Sequence, residues 1–335
     1  MQRPFRRALL ACLAALAAAL LPPGPGAARA QALDRLQIFI TPGVSTDAIW
    51  MADQHGVFRS MGLDVQIRVF PSGTTAFQTF RTGAGDIIFS GDLPALQYWQ
   101  NGGSYRVIAP IERDARSYVA VVQSGIQRAA DLSGKTIATR IGSTGSWFIS
   151  EYLHRNGVPE SSVNVRNLDP PLMPVALCRG DIAGFFIWEP SPTKALEMCG
   201  DRVRVLTTAE GYIKGYNIAG ARAEFLASPE GAEKVRRFLR AIRRGAEIAA
   251  GDLPGVIAYM NRRFGMTEAE VRAQTAIMER VQRFDAVFYE DFCSENRWQQ
   301  RAGLRSGPSD LSEWVWLDGL RSIDPALALP APPPC

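Results

Sequence analysis

The chain has 335 residues, with 37 lysines and arginines against 33 acidic residues and 2 histidines, and it is 47% hydrophobic and 21% charged. That apolar content suffices for two globular cores of ordinary size. Arg3, Arg6, Arg7 and Arg29 fall in the first 30 residues, which hold no acids, so the remainder balances 33 basic against 33 acidic residues and offers a nucleic acid no basic surface from which to release counterions.

The N-terminal arginines precede an apolar run over residues 8–21, closed by Pro22, Pro23 and Pro25 and followed by Ala28-Arg29-Ala30. Positive, apolar and small-residue segments in that order predict a signal peptide over residues 1–30, removed on export. The run is too short to span a bilayer comfortably. Leu9-Leu10-Ala11-Cys12 has the look of a lipoprotein box, but almost no apolar core precedes it, so lipidation at Cys12 is a minor alternative.

Strand and helix patterns then alternate. Strands are expected over residues 36–40, 64–69, 86–89 and 105–111, separated by helices near 47–55, from Thr74 and from Leu93. A second series has strands over 117–122, 136–138, 163–167, 183–187 and 203–207, with helices over 146–156, through 175–178 and from Ser191. After Tyr216-Asn217-Ile218-Ala219 the pattern turns helical, over 229–250, 253–264, 267–278 and 310–320. Such alternation predicts an α/β fold of two doubly wound, mostly parallel sheets. The late helices are expected to cover the first of them. The predicted lobes are then residues 31–116 with 218–335, and residues 117–217, joined by crossings near Ser117 and Tyr216 that serve as a hinge.

Four cysteines follow the first 30 residues: Cys178, Cys199, Cys293 and Cys335. An even number in an exported chain favours disulfides. Their order suggests Cys178 with Cys199 and Cys293 with Cys335, among three possible pairings.

The two halves share a phrase. Gly85-Asp86-Ile87-Ile88-Phe89-Ser90-Gly91-Asp92-Leu93-Pro94 and Gly180-Asp181-Ile182-Ala183-Gly184-Phe185-Phe186-Ile187-Trp188-Glu189-Pro190 each read as turn, apolar strand, small or acidic tip, proline and helix. Ligands of open α/β sheets lie beyond the carboxyl ends of the strands. Ser90, Gly91 and Asp92 from one lobe and Trp188 and Glu189 from the other are therefore expected to face a cleft. The loops carrying Gly43 and Ser45, and Ser72 and Gly73, are small-residue turns leading into helices, able to meet an anion or merely to cap. Gly142, Ser143 and Thr144 open the helix over 146–156, whose N-terminal N–H groups and dipole suit an oxyanion. No lysine follows that turn, which argues against a nucleotide phosphate. Glu112 and Asp169 follow strands, and Tyr212 and Tyr216 sit where the chain crosses back. An acid at Asp92 or Glu189 would suit a ligand bearing an amine as well as an anionic end.

The chain resembles the periplasmic substrate-binding proteins of ABC importers in the sulfonate, taurine, nitrate and thiamine-precursor group. The resemblance runs through residues 52–63 (A-D-Q-H-G-V-F-R-S-M-G-L), Phe70-Pro71-Ser72-Gly73, Gly91-Asp92-Leu93-Pro94, Gly134-Lys135-Thr136-Ile137-Ala138, Gly142-Ser143-Thr144 and Trp188-Glu189-Pro190. It implies a type II two-lobed fold with a hinge, a monomer without cofactor or metal, and delivery of a small ligand to a membrane permease. It also implies that Gly142, Ser143 and Thr144 hold an anionic head group, with Gly91 and Asp92 opposite and the Trp188 side chain against the ligand. An organosulfonate or taurine-like compound is the expected solute; a pyrimidine thiamine precursor or an aromatic acid is the alternative, and a sensory role would need the same cleft. Enzymes on this scaffold include a desulfinase with a cysteine after the first strand and a pyrimidine synthase that uses a histidine and a cysteine-rich motif. Residues 41–47 contain no cysteine, and His55 and His154 have no evident triad or metal partner, so catalysis is not expected.

Overall fold

The structure, a computed structural model, describes residues 32–335; the expected signal peptide and the Cys12 box lie outside the described residues. Strands β1 (Asp34–Ile40), β2 (Leu63–Val69), β3 (Ile87–Gly91) and β4 (Arg106–Asp114) come first, then β5 (Tyr118–Gln123), β6 (Thr136–Thr139), β7 (Asn164–Asn167), β8 (Gly184–Trp188) and β9 (Val203–Thr208). The chain returns through β10 (Gly215–Ala221) and adds the two-residue β11 (Glu279–Arg280). One sheet has the order β11-β4-β10-β3-β1-β2 and the other β7-β6-β8-β5-β9. This is the expected α/β class, a two-lobed fold.

The pairing is mixed, not mostly parallel. β1 runs parallel to β2 and β3, but the returning β10 inserts between β3 and β4 and opposes both. In the second sheet β5 likewise opposes β8 and β9, while β6 is parallel to β7 and β8. A strand that carries the chain across from the other sheet enters from the opposite end, so it cannot share the direction of strands linked by helical crossovers.

Pleating divides the second sheet between two cores. Ala120, Val122, Ile137 and Phe186 meet helix Thr144–Arg155, whereas Val121, Ala138, Phe185 and Ile187 pack with Met173 and Leu177 from helix Met173–Arg179 and with Ala195 from helix Ser191–Cys199. The first sheet shares one large core with the helices after β10. Helix Pro229–Gly251 lies so close to helix Asp47–Gln54 that a Cβ at Gly245 would collide with the Ala48 carbonyl. Cys178 pairs with Cys199 and Cys293 with Cys335, at Cα separations of 5.3 Å and 5.5 Å.

Two C-terminal elements differ from the sequence reading. Helix Ala286–Arg301 is not foreseen: it buries Glu295, Asn296 and Gln299 along with Phe288 and Phe292, which blurs its apolar period. Its one local signal is Asp285, whose carboxylate accepts the Phe288 N–H at 2.8 Å as an N-cap. Conversely, the helix expected over 310–320 is a 3-10 turn (Leu311–Glu313), an extended bridge at Val315 and a short helix, Asp318–Arg321. The Val107 N–H and C=O bond Trp314 and Trp316 at 2.8 Å, so an unpaired length of β4 captures the segment.

Helix Ala286–Arg301 also ties the two cores together. Phe288 and Phe292 belong to the first, while Trp298 packs in the second and donates its indole N–H to Ser150 at 2.9 Å. Leu93, which follows β3, is also part of the second core.

Candidate functional site

A cavity lies where the carboxyl ends of β1, β3, β4 and β8 meet the first residues of β10, the position at which ligands of open α/β sheets bind. It leaves about 70 Å³ for the centres of water molecules, space for roughly five waters or one small solute.

Two helix N-termini reach it, one beside each sheet. Helix Gly73–Phe80 is capped by Ser72, whose Oγ accepts the Thr75 N–H at 3.2 Å; helix Thr144–Arg155 is capped by Ser143, whose Oγ accepts the Gly145 N–H at 3.2 Å. Gly73, Thr74, Ser143 and Thr144 line the cavity, so first-turn N–H groups that lack intrahelical acceptors stand beside it. Gly73 has to be glycine, because a Cβ would lie 2.6 Å from the Ser90 Cβ. The β1 loop contributes Gly43, held at φ 139°, a conformation that favours glycine, together with Ser45, whose Oγ accepts from Asn217 Nδ2 at 3.0 Å.

Among the described residues that line the cavity none is lysine, arginine or histidine, yet Glu112, Asp114 and Glu189 are present. These acids differ in what they already hold. Asp114 accepts the Arg116 and Ser117 N–H groups at 2.7 Å each, shaping the turn into β5. Glu189 accepts the Thr193 N–H at 3.2 Å, and burial raises its pKa. The Glu112 carboxyl receives no hydrogen bond within the protein among the described residues; burial pushes it up to about 8, reinforced by the charges of Asp114 and Asp47 and opposed by Arg280.

Three buried polar atoms of lining residues also have no partner: Thr74 Oγ1, Asn217 Oδ1 and Gln274 Nε2. Buried polar atoms are seldom left unpaired, so one hydroxyl, one amide oxygen and one amide donor around one cavity mark where a solute completes the structure. Trp188 and Tyr118 stand edge to face, 6.4 Å between ring centroids, and form an aromatic wall.

Of the residues singled out from sequence, Gly43, Ser45, Gly73, Gly91, Glu112, Ser143, Thr144, Trp188, Glu189 and Tyr216 come together at the cavity. Four do not reach it. Ser72 is spent on its cap, Ser90 is fully buried and donates to the Gly91 carbonyl at 2.9 Å, and Gly142 gives its N–H to Ser146 Oγ at 3.0 Å. Asp92 is buried beneath the cavity, where its carboxylate accepts the Leu93 N–H at 2.7 Å, the Tyr216 N–H at 2.9 Å and the Thr144 hydroxyl. It is a strut between the sheets, so the expectation that it selects an amine-bearing ligand gives way. Burial pushes its pKa up to about 6 against those hydrogen bonds.

The Tyr216 hydroxyl points away from the cavity, donating to Asp291 at 2.8 Å and receiving Arg113 at 3.4 Å. Asp169 pairs with Arg140 at 3.4 Å, and Tyr212 packs on Phe148 and Tyr152 in the second core. Asn217 and Gln274 were missed. Asn217 sits in the segment read only as a crossing strand, and Gln274 in a helix read only as cover.

Two α/β sheets around one cavity at their strand ends define a periplasmic-binding-protein fold. The NMT1/THI5-like family pattern matches residues 46–252, more than half of the chain, and the chain belongs to that family. The taurine-binding periplasmic protein of Escherichia coli (strain K12) is 30% identical over 152 residues, 45% of this chain and 46% of that protein. The match thus spans about half the length of that curated relative. The alkanesulfonate-binding protein SsuA from Xanthomonas axonopodis pv. citri, bound to MOPS, superposes with a TM-score of 0.74 at 20% identity, covering 84% of this chain and 98% of that one. The desulfurization enzyme DSZB shares the fold at a TM-score of 0.67 and 14% identity, over 86% of this chain and 98% of that one.

Proposed function

We propose that the protein captures a small anionic or zwitterionic organic solute, an organosulfonate or taurine-like compound, between its two lobes in the periplasm and delivers it to the membrane permease of an ABC importer. The observation that carries this reading is the set of unpartnered polar atoms around a cavity with two helix N-termini and no basic side chain. An anionic head there would be held by backbone N–H groups, the Thr74 hydroxyl and the Gln274 amide; the rest of the molecule would lie against Trp188 and Tyr118. The relatives named for taurine and alkanesulfonate binding support the solute class.

In this reading residues 1–30 are a signal peptide, residues 31–116 and 218–335 form one lobe, residues 117–217 form the other, and the protein acts as a monomer. Closure about the crossings near Ser117 and Tyr216 is the mechanism: a solute that touches both lobes favours the closed form by its differential affinity, and moving from mostly open to mostly closed takes about 5.5 kcal/mol. In this reading the captured solute is released unchanged. The β1 loop over 41–47 has no cysteine.

The test is thermal denaturation of the purified protein against taurine, alkanesulfonates, nitrate, aromatic carboxylates and pyrimidines. A ligand at 100 times its Kd adds about 2.7 kcal/mol of stability. A rise confined to sulfonates, with the ligand recovered unchanged, supports the reading; a rise confined to pyrimidines or aromatic carboxylates replaces the solute class, and turnover of a bound sulfonate replaces the function.

A further inference from the structure

The cavity presents two kinds of surface. N–H groups and the Gln274 amide donor suit an anion. Opposite in character is the pair Glu112 and Asn217, cross-strand neighbours in the β4–β10 register. Asn217 uses its Nδ2 on Ser45 and leaves Oδ1 buried without a donor, and no donor of the protein reaches the Glu112 carboxyl among the described residues. The other lining acids are engaged, Asp114 by two backbone N–H groups and Glu189 by Thr193. The guanidinium of Arg280, behind Glu112, is paired with Asp47 and does not line the cavity.

Two adjacent acceptors, one able to carry full negative charge, match a group with several N–H donors and a positive charge. From this juxtaposition, and resting on the solute-capture reading above, we propose that Glu112 and Asn217 form a subsite for a protonated amine, so that the ammonium of a zwitterionic solute, more than its anionic end, sets selectivity. A bare anion would meet the carboxyl groups of Glu112, Asp114 and Glu189 with no basic side chain lining the cavity among the described residues. A zwitterion would place each end on complementary groups, and its ammonium would fill both vacant acceptors.

The proposal carries a protonation consequence. The groups facing Glu112 are Asp114 on its own strand, Asp47 from helix Asp47–Gln54, Arg280 on β11 and Tyr118 on β5. In the empty site Glu112 keeps its proton until the pH approaches about 8. An ammonium ion favours the ionised carboxylate, so capture below that pH expels the proton and affinity rises with pH until Glu112 is ionised in the free protein.

Calorimetric titration of the protein from the full-length chain with taurine, isethionate and ethanesulfonate tests this, since the three share a sulfonate and differ at the other end. Taurine is expected to bind at least about 10-fold more tightly than isethionate, the value of a hydrogen bond to a charged group. Glu112→Gln, nearly isosteric, should remove that preference by weakening taurine alone. Asn217→Asp, which adds a second anionic oxygen, should enlarge it. At pH 6.5, titration in two buffers of different ionisation enthalpy should show close to one proton released per taurine by the native protein and none by Glu112→Gln. Equal affinity for taurine and isethionate, or an equal loss of both in Glu112→Gln, overturns the subsite and leaves sulfonate capture standing. If the zwitterion β-alanine binds and sulfonates do not, and Glu112→Gln abolishes that binding, the subsite stands and the sulfonate reading falls. A native protein that binds none of these amines overturns the subsite.

Discussion

Asp92 and Glu189 hold matching places in the two repeated phrases, each directly after its strand, yet they have become different parts of the molecule. Asp92 is 1% exposed and receives three hydrogen bonds, from Leu93, Tyr216 and Thr144, that join both sheets. Glu189 stays at the cavity and accepts the Thr193 N–H. The residue before each acid accounts for much of the contrast. Gly91 lets Thr144 approach so closely that a Cβ there would lie 2.9 Å from its Oγ1, whereas Trp188 keeps a broad ring at the cavity wall beside Tyr118. Matching sequence positions specify a place at the strand end; the neighbour decides whether the side chain becomes a strut or a rim.

Removing the strut should have the largest effect. Asp92→Ala leaves the buried Tyr216 N–H and Thr144 hydroxyl without acceptor and is expected to destabilise by about 3 kcal/mol, measured by chemical denaturation. It should weaken every ligand alike, because it acts through the position of β10 and helix Thr144–Arg155.

A pH comparison sharpens the point. Asp92 holds its proton in the native state up to about 6, while the unfolded chain releases it near 3.8. The native state therefore binds more protons between those values, and stability falls as pH rises through them. Relative to Asp92→Asn, which cannot ionise, the native protein should lose on the order of 2 kcal/mol between pH 4 and pH 7. A flat difference across that range would mean that hydrogen bonds fully offset the burial of its charge.

Thr144→Val breaks the strut from the other side. It leaves the Asp92 carboxylate with two donors and should cost about 1.5 kcal/mol, less than Asp92→Ala, with much of the second cost absent in the double variant because the two groups share one bond. The smallest effect is expected at the rim. Glu189→Gln still accepts from Thr193 and should change stability by less than about 0.5 kcal/mol. A large destabilisation there would erase the distinction between the two acids.

Much of the fold is legible in the order of residues. The apolar strand segments 36–40 and 183–187 alternate with helical patterns, and local periodicity is enough to find them. The cysteine pairs follow chain order because each closes a compact stretch. Helix Ala286–Arg301 escapes because its buried face holds Glu295, Asn296 and Gln299, residues that a hydrophobic pattern assigns to solvent. The 310–320 segment is misread for the opposite reason: its local preference is helical, but the free edge of β4 at Val107 takes Val315 as a bridge partner.

The site divides in the same way. Glycines and hydroxyls before helices, and an acid after a strand, are local signals, and through them Gly73, Glu112, Ser143, Thr144 and Trp188 were found at the cavity. Asn217 and Gln274 carry no such signal; their vacant amide atoms matter only because β10 pairs with β4 and helix Glu268–Ile277 leans over the strand ends.

The alternating elements, the repeated strand-end phrase and the cysteine order are set by steric preference and burial within a few residues of chain. Long-range packing makes Asp92 a strut, sets Glu112 beside Asn217 at the cavity, and lets Trp298 join the two cores. Each depends on a partner tens to hundreds of residues away, where hydrogen-bond satisfaction is settled by packing and not by local pattern.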